Sequence, residues 1–211
     1  ELCGLRVSDE TIRRVTEKLG KQAQTWLQSS PAAIEPLAKA DGNVESYTDG
    51  TCVNTREGWR EMRLSVFAKR PSGPAAEPDE WAKRTLPATT ARWASAGINS
   101  SVEMGPQWAE IVRRLGLGEG LGVSVLADGA RWIWKQVAEH LPRSECVVDI
   151  FHVSEHLHAC GRVLHGEHAP QARAWADERL LMLLRSGPME LLRHLEQLQT
   201  AQASAEAVKA I

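Results

Sequence analysis

The sequence predicts an α/β fold, a mixed five-stranded sheet flanked by helices. Three observations carry this reading. Two adjacent runs, 44–53 and 59–66, read as the strands of a hairpin, the second alternating apolar and polar residues at the period of a β-strand. Two later apolar runs, "GVSVLADGA" and "ECVVDIFH", are each followed by a segment with helical spacing. In order, the segments read β-β-β-α-β-α-β-α and then helices only. An antiparallel meander feeding two more strands through helical crossovers makes one mixed sheet.

The first element, "VSDETIRRVTEKLGKQAQTWL", reads as a helix capped by Ser8 or Asp9, with Ile12, Val15, Thr16 and Leu19 at helical spacing. Gly20 is expected to end or kink it. Residues 1–40 thus form a helical lead-in. The first strand runs about Val44 to Val53, and "NTREG" supplies turn chemistry before a second strand carrying Trp59, Met62, Leu64 and Val66. That alternation is imperfect, which predicts a bulge near Glu61. "RPSGPAAEPDEW" is a loop, and "KRTLPATTARWAS" a third strand whose Pro87 demands an edge position.

"SVEMGPQWAEIVRRLGLG" reads as a helix. The glycine run "LGLGEGLG" that closes it lacks the Gly-Lys-Ser/Thr of a phosphate loop and reads as a helix stop and turn. A buried strand then ends at Asp128. "ARWIWKQVAEHLP" is a helix stopped by Pro142, "ECVVDIFH" a second buried strand, and "HVSEHLHACGRVL" a helix. The sheet and its crossovers occupy 41–165. Everything in 166–211, including "ARAWADERLLMLLRS" and "PMELLRHLEQLQTAQASAEAVKAI", is expected to be helical.

The 211 residues carry a net charge of −2, with 43% hydrophobic and 25% charged residues, values ordinary for a water-soluble globular domain. A pI near 6.4 argues weakly against a nucleic-acid-coating protein, whose footprint is usually basic, and leaves open an enzyme with a local groove for nucleic acid. The four cysteines, Cys3, Cys52, Cys146 and Cys160, form no C-x-x-C pair, which suits a reducing cytoplasm. No apolar run is long enough to span a membrane. Eight tryptophans stand against one tyrosine and two phenylalanines. Trp59, Trp132 and Trp134 lie near the motifs below and are expected to be core.

Asp49 lies in the first strand, in "YTDGTCV", and Asp128 ends a later one, in "VLADGA". Each precedes a glycine. A strand-end aspartate beside glycine leaves room for a ligand, although Asp-Gly is also an ordinary turn signal. In open sheets, ligands gather beyond the carboxyl ends of strands. If the two strands are neighbours the carboxylates converge and repel, and a divalent cation removes that penalty. Oxygen-only ligands suit Mg²⁺, or Mn²⁺ in its place, and two such ions about 3.5–4 Å apart serve phosphodiester chemistry.

At these residues the sequence resembles a known family. "YTDGTCVNTREGWREMRLSVF", "VLADGARWIWKQVAEHLP" and "VVDIFHVSEHL", in this order, are similar to the catalytic core of bacterial DDE transposases of the ISKra4 type, relatives of the Mutator-like transposases. The resemblance runs from about Leu5 to near Leu198, and "WADERLLMLLRSGPMELLRHLEQL" resembles the helical segment that follows the core. It implies an RNase H-like fold and two catalytic, metal-holding aspartates, Asp49 and Asp128. A [C/D]-x-x-H motif on the next strand corresponds to Asp149 and His152, which would border the site, with His152 touching substrate. It also implies Mg²⁺ or Mn²⁺, DNA (transposon ends and target) as partner, a possible homo-oligomer, and no membrane.

The sequence departs from the family in one respect. The third acidic residue, a glutamate in a Gly-Ser-Gly-rich segment after a helical insertion, has no counterpart before Ile211, so the chain is expected to stop inside that insertion. Glu155 is the fallback for this role. The family's DNA-binding region is expected to be missing as well. Arg56, Arg60, Arg131 and Lys135 are candidates to meet phosphates, or simply solvated charges.

Two further readings stand beside this one. The chain could be a non-catalytic remnant of the fold that binds DNA or a protein. Alternatively, His152-Val-Ser-Glu155-His156 fits the H-x-x-E-H pattern of a zinc peptidase, with Glu178, Glu190 or Glu196 as third ligand. That reading leaves Asp49 and Asp128 unexplained. His158, His165 and His168 read as surface or helix-face residues.

Overall fold

The alternating runs form one long hairpin. Strand β1 (Asn43–Thr55) pairs antiparallel with β2 (Gly58–Arg70) in a register unbroken from Asn43↔Arg70 to Thr55↔Gly58. The bulge expected near Glu61 is absent, since Glu61 faces Cys52 in regular pairing. The irregular alternation arises instead because Trp59 and Met62 sit on opposite faces. Trp59 is 72% exposed near the hairpin tip, so it is not core. The loop is only Arg56 and Glu57, and Gly58 after it holds a φ of +97°, which side chains other than glycine rarely adopt.

The computed structural model describes residues 7–201. Cys3 and the predicted helical stretch 202–211 lie outside the described residues. Helix α1 (Asp9–Ser29) runs through Gly20 without a break and buries none of its residues. Ser8 caps it, its hydroxyl accepting from the Thr11 amide at 3.2 Å. Helix α2 is Pro31–Lys39. Strand β3 (Ala91–Gly97) pairs antiparallel with β2 and takes a sheet edge, with Pro87 ahead of the strand rather than inside it.

Helix α3 (Ser101–Arg114) starts at a reciprocal cap between Ser100 and Glu103. Strand β4 (Val123–Ala127) runs parallel to β1 from Val44↔Val123 to Tyr47↔Leu126. Helix α4 (Arg131–His140) leads to β5 (Glu145–Val148). The sheet order is β3-β2-β1-β4-β5. This mixed α/β sheet, flanked by helices, has the strand order of the RNase H-like fold. Helices α5 (Ile150–His165), α6 (Pro170–Ser186) and α7 (Pro188–Ala201) complete the described chain.

The "ECVVDIFH" strand departs from expectation. It ends at Val148, all four of its residues are exposed, and Asp149 begins a helix instead of continuing the strand. As an edge strand it packs on one neighbour only. The Asp149 side chain, accepting from the Phe151 amide at 2.9 Å, offers the backbone a helix start. His152 consequently lies in the first turn of α5, not on a strand.

The described chain forms two compact units. The first comprises the residues up to Ser72, Ala88–Leu126 and Ala130–Cys146. Its core lies on the face of β1 and β2 that carries Val44, Ser46, Thr48, Ser65 and Phe67, with Trp93, Met104, Trp108, Ile111 and Val112 packed there. Small hydroxyl residues in a core need partners. The buried Trp108 indole supplies one, donating to Ser65 Oγ at 2.8 Å, and Thr48 Oγ1 is 3.4 Å from the same atom. Trp132, half-buried, packs on Trp108 with ring centroids 6.3 Å apart, as expected for a core-lining residue.

The second unit comprises Gly73–Pro87, Ala127–Gly129 and the residues from Val147 on. Its core joins Leu157 and Cys160 of α5, Trp175, Ala176 and Leu180 of α6, and Leu191 and Leu195 of α7, with Trp81 partly buried against it. Helices α5 and α6 approach closely at Gly161. An added Cβ there would run into the Ala172 carbonyl oxygen and lie 3.4 Å from the Trp175 ring. The obstacle is backbone, so only a shift of a whole helix relieves it. Alanine in place of glycine favours a helix by about 1 kcal/mol, but overpacking costs about 1–3 kcal/mol. Gly161→Ala is therefore expected to lower stability in urea denaturation, where a helix-interior glycine without neighbours would show a gain.

Candidate functional site

Asp49 sits within β1, not at its end, because the strand continues to Thr55. Its side chain is on the face shared with Glu45 and Tyr47 and with Leu64 of β2, opposite the tryptophan-filled core. Asp49 is exposed, and its Oδ1 accepts from the Gly50 amide at 2.7 Å. Gly50 does not turn the chain. A Cβ there would meet Glu61 Oε1 at 2.6 Å, so a larger residue would displace the end of that side chain.

Glu45 and Tyr47 form a polar cluster along the same face. Arg70 Nε donates to Glu45 Oε2 at 2.9 Å, the Tyr47 hydroxyl donates to the same carboxylate, and Arg70 Nη2 donates to the Tyr47 oxygen at 3.4 Å. Burial, and then the bond to the Glu45 carboxylate, push the Tyr47 phenol above its ordinary value.

Asp128 directly follows β4 and is half-buried. The β1–β4 register relates the two aspartates through the chain. Tyr47 pairs with Leu126, and Asp49 and Asp128 each come two residues later. Within the second unit, Asp128 stands beside the start of α5. The Asp149 amide donates to the Ala127 carbonyl at 2.9 Å, tying the helix start to the strand end. The His152 imidazole lies against Gly129, where a Cβ would sit 3.7 Å from Nε2. This loop, Asp149, His152 and His156 therefore form one polar neighbourhood.

His152 Nε2 and His156 Nε2 are 3.1 Å apart, and Glu155 Oε2 is 4.0 Å from His152 Nδ1. Glu155 is otherwise exposed. Among the described residues no group of three or more His, Cys, Asp or Glu side chains is arranged to hold a metal ion. The peptidase ligand set is accordingly incomplete. Glu178 pairs with Arg179 at 2.5 Å, Glu190 pairs with Arg193, and Glu196 has a partner of its own. His158 is engaged with Asp177 at 3.5 Å, while His165 and His168 are exposed, as surface residues should be.

Of the four basic candidates, Arg60 is bound to Glu57 at 2.7 Å, while Arg56, Arg131 and Lys135 are exposed. The sequence reading did not single out Arg63. Its guanidinium is mostly covered, stacks over Trp132 at 5.0 Å and donates to Glu61 at 2.5 Å, which fixes the carboxylate against Gly50. No short-range pattern marks that role, because the partners come from β2 and α4.

No protein-family model and no curated protein matches the chain. Among solved structures it is similar to the HTLV-2 integrase catalytic core domain in complex with magnesium. The dimeric form aligns at 13% identity over 68% of this chain and 85% of that one, with a TM-score of 0.30. The trimeric form aligns at 12% identity over 72% and 95%, with a TM-score of 0.31. A chain of the simian T-cell lymphotropic virus intasome in complex with PP2A regulatory subunit B56 gamma aligns at 10% identity over 67% of this chain and 48% of that one, with a TM-score of 0.30. This chain spans about half the length of that last one. Among the described residues no helix is long and apolar enough to cross a membrane.

Tyr47 is the single tyrosine of the chain, so its ionisation can be followed alone. A phenol whose value is raised on folding adds stability that is complete below its unfolded value, about 10, and is lost as pH rises through the folded value. Tyrosinate absorbance in the native chain is expected to appear at higher pH than in the urea-unfolded chain. Glu45→Gln, which removes the neighbouring negative charge, should bring the two titrations closer together.

Proposed function

We propose that this chain is the catalytic core of a DNA transposase of the DDE type, resembling the ISKra4-type family and lacking the third carboxylate of that family. The observation that supports the reading is the parallel pairing of β1 with β4, which ends at Tyr47↔Leu126, with Asp49 two residues past Tyr47 and Asp128 two residues past Leu126 along the chain. In this reading the two carboxylates hold the divalent cation. They offer oxygen donors only, the donor set that Mg²⁺ and Mn²⁺ prefer. When bound, the cation would offset the repulsion between the carboxylates and polarise phosphate oxygens of the scissile bond.

The chain's own residues then have distinct parts. Asp49 is kept to one face of β1 by the strand pairing, and Gly50 and Glu61 close the backbone behind it. In this reading His152, which lies against Gly129, touches the substrate beside the reacting phosphate. The reaction is phosphodiester hydrolysis at a transposon end, followed by attack of the freed 3′-hydroxyl on target DNA. Homo-oligomeric assembly on two DNA ends belongs to the same proposal, as do residues 1–40, 41–165 and 166–211 as lead-in, core and insertion segment.

A second reading has one observation in its favour. The described residues bring no third carboxylate into a metal-holding group. A non-catalytic module would keep the fold and bind DNA without cutting it.

Mn²⁺ titration followed by electron paramagnetic resonance separates the two. The transposase reading expects saturable Mn²⁺ binding that is lost in an Asp49→Ala, Asp128→Ala double variant. Equal Mn²⁺ binding by the wild type and the double variant would overturn it. Retained DNA binding without metal dependence would then favour the module.

A further inference from the structure

The geometry points to a second cation site, distinct from the carboxylates: a two-nitrogen clip for a Zn²⁺-class ion made by His152 and His156. The two residues are one turn apart on α5, and their Nε2 atoms converge to 3.1 Å. The rings stand nearly perpendicular, at 89°, with centroids 4.5 Å apart. Zinc–imidazole bonds are about 2.0–2.1 Å, so two nitrogens on one ion at angles between square and tetrahedral lie about 2.9–3.4 Å apart. The observed separation falls inside that window. In the absence of metal, the same distance allows one ring to donate to the other. The pair is thus preset in either state.

A second observation agrees with the first. A metal on Nε2 requires the proton of His152 to sit on Nδ1. Metal-bound histidines commonly give that proton to a carboxylate, which fixes the ring and raises its basicity. Glu155 Oε2 is 4.0 Å from His152 Nδ1, the nearest carboxylate oxygen to that nitrogen on the same helix, and would be the group to take this proton. The motif His-Val-Ser-Glu-His therefore supplies two ligands and the group that orients one of them.

Among the described residues no third ligand is grouped with these two, so the ion would keep open positions for water or for an oxygen of a bound molecule. That distinguishes the clip from a closed structural zinc site and from a three-ligand hydrolytic one. Imidazole nitrogen also selects the ion, since Zn²⁺, Co²⁺ and Ni²⁺ prefer it and Mg²⁺ does not. The site lies wholly in the second unit and does not depend on Asp49. It stands or falls separately from the transposase reading.

The test uses the full chain carrying Cys52→Ser and Cys146→Ser, because exposed thiols would compete for the metal. Zn²⁺ is titrated calorimetrically and Co²⁺ by its visible absorption. The parent is expected to bind one ion, to show nitrogen-ligated Co²⁺ bands and to gain thermal stability with Zn²⁺. His156→Ala, at an exposed position, and His152→Gln should each lose that binding and that gain. Asp49→Asn should keep both. The proposal is overturned if the parent shows no saturable binding, if His156→Ala binds as well as the parent, or if Asp49→Asn abolishes binding.

Discussion

Four rungs of parallel pairing, from Val44↔Val123 to Tyr47↔Leu126, are the constraint on which the rest of the fold depends. They join the antiparallel meander to the crossover strands and so turn a three-stranded hairpin sheet into a mixed one. They also decide which side chains enter the core. Side chains alternate along a strand, so a slip of one residue would send Ser46 and Thr48 outward and drive Glu45 and Tyr47 against Trp108. The buried indole-to-hydroxyl bond from Trp108 to Ser65 ties β2 to the same core face.

Much of the sheet was legible because its signals are local. Turn chemistry and period-two alternation marked the β1–β2 hairpin, and the third strand was read at an edge, although Pro87, the reason for that reading, lies ahead of β3. Short apolar runs ending at Asp128 and before Asp149 marked β4 and β5. The errors have physical causes as well. Alternation shows that side chains take opposite faces but cannot show how far a hairpin extends past the helices that cover it, so Trp59 was read as core. An apolar pair at a sheet edge looks the same in sequence as one in the middle, so Val147 and Val148 were expected to be buried. Asp149 was read as strand because its side-chain bond to the Phe151 amide starts the helix only once the chain has been brought back to Ala127.

The candidate site was legible to a similar degree. Asp49 and Asp128 could be chosen because each interrupts an apolar strand and precedes glycine. The role of Gly50 could not be read, since it comes from Glu61 on another strand, held there by Arg63. The histidine pair was visible as spacing, but the 3.1 Å convergence of the two nitrogens depends on ring orientation, which spacing leaves free. The helical unit behaves likewise. Its apolar residues predicted helices, while the close approach at Gly161 becomes visible only when α6 is in place.

The unequal lengths of the strands have one more consequence. Among the described residues β1 pairs with β4 at four positions near its start, yet it continues to Thr55, and beyond Gly50 it is laddered to β2 alone with no buried side chain. The far part of the hairpin is an arm whose length is independent of the packed core. Residues inserted or removed there as facing pairs would leave the face of every residue below Gly50 unchanged. The arm is therefore where natural length variation would be tolerated, and where a peptide tag or a spectroscopic label could be grafted without disturbing Asp49.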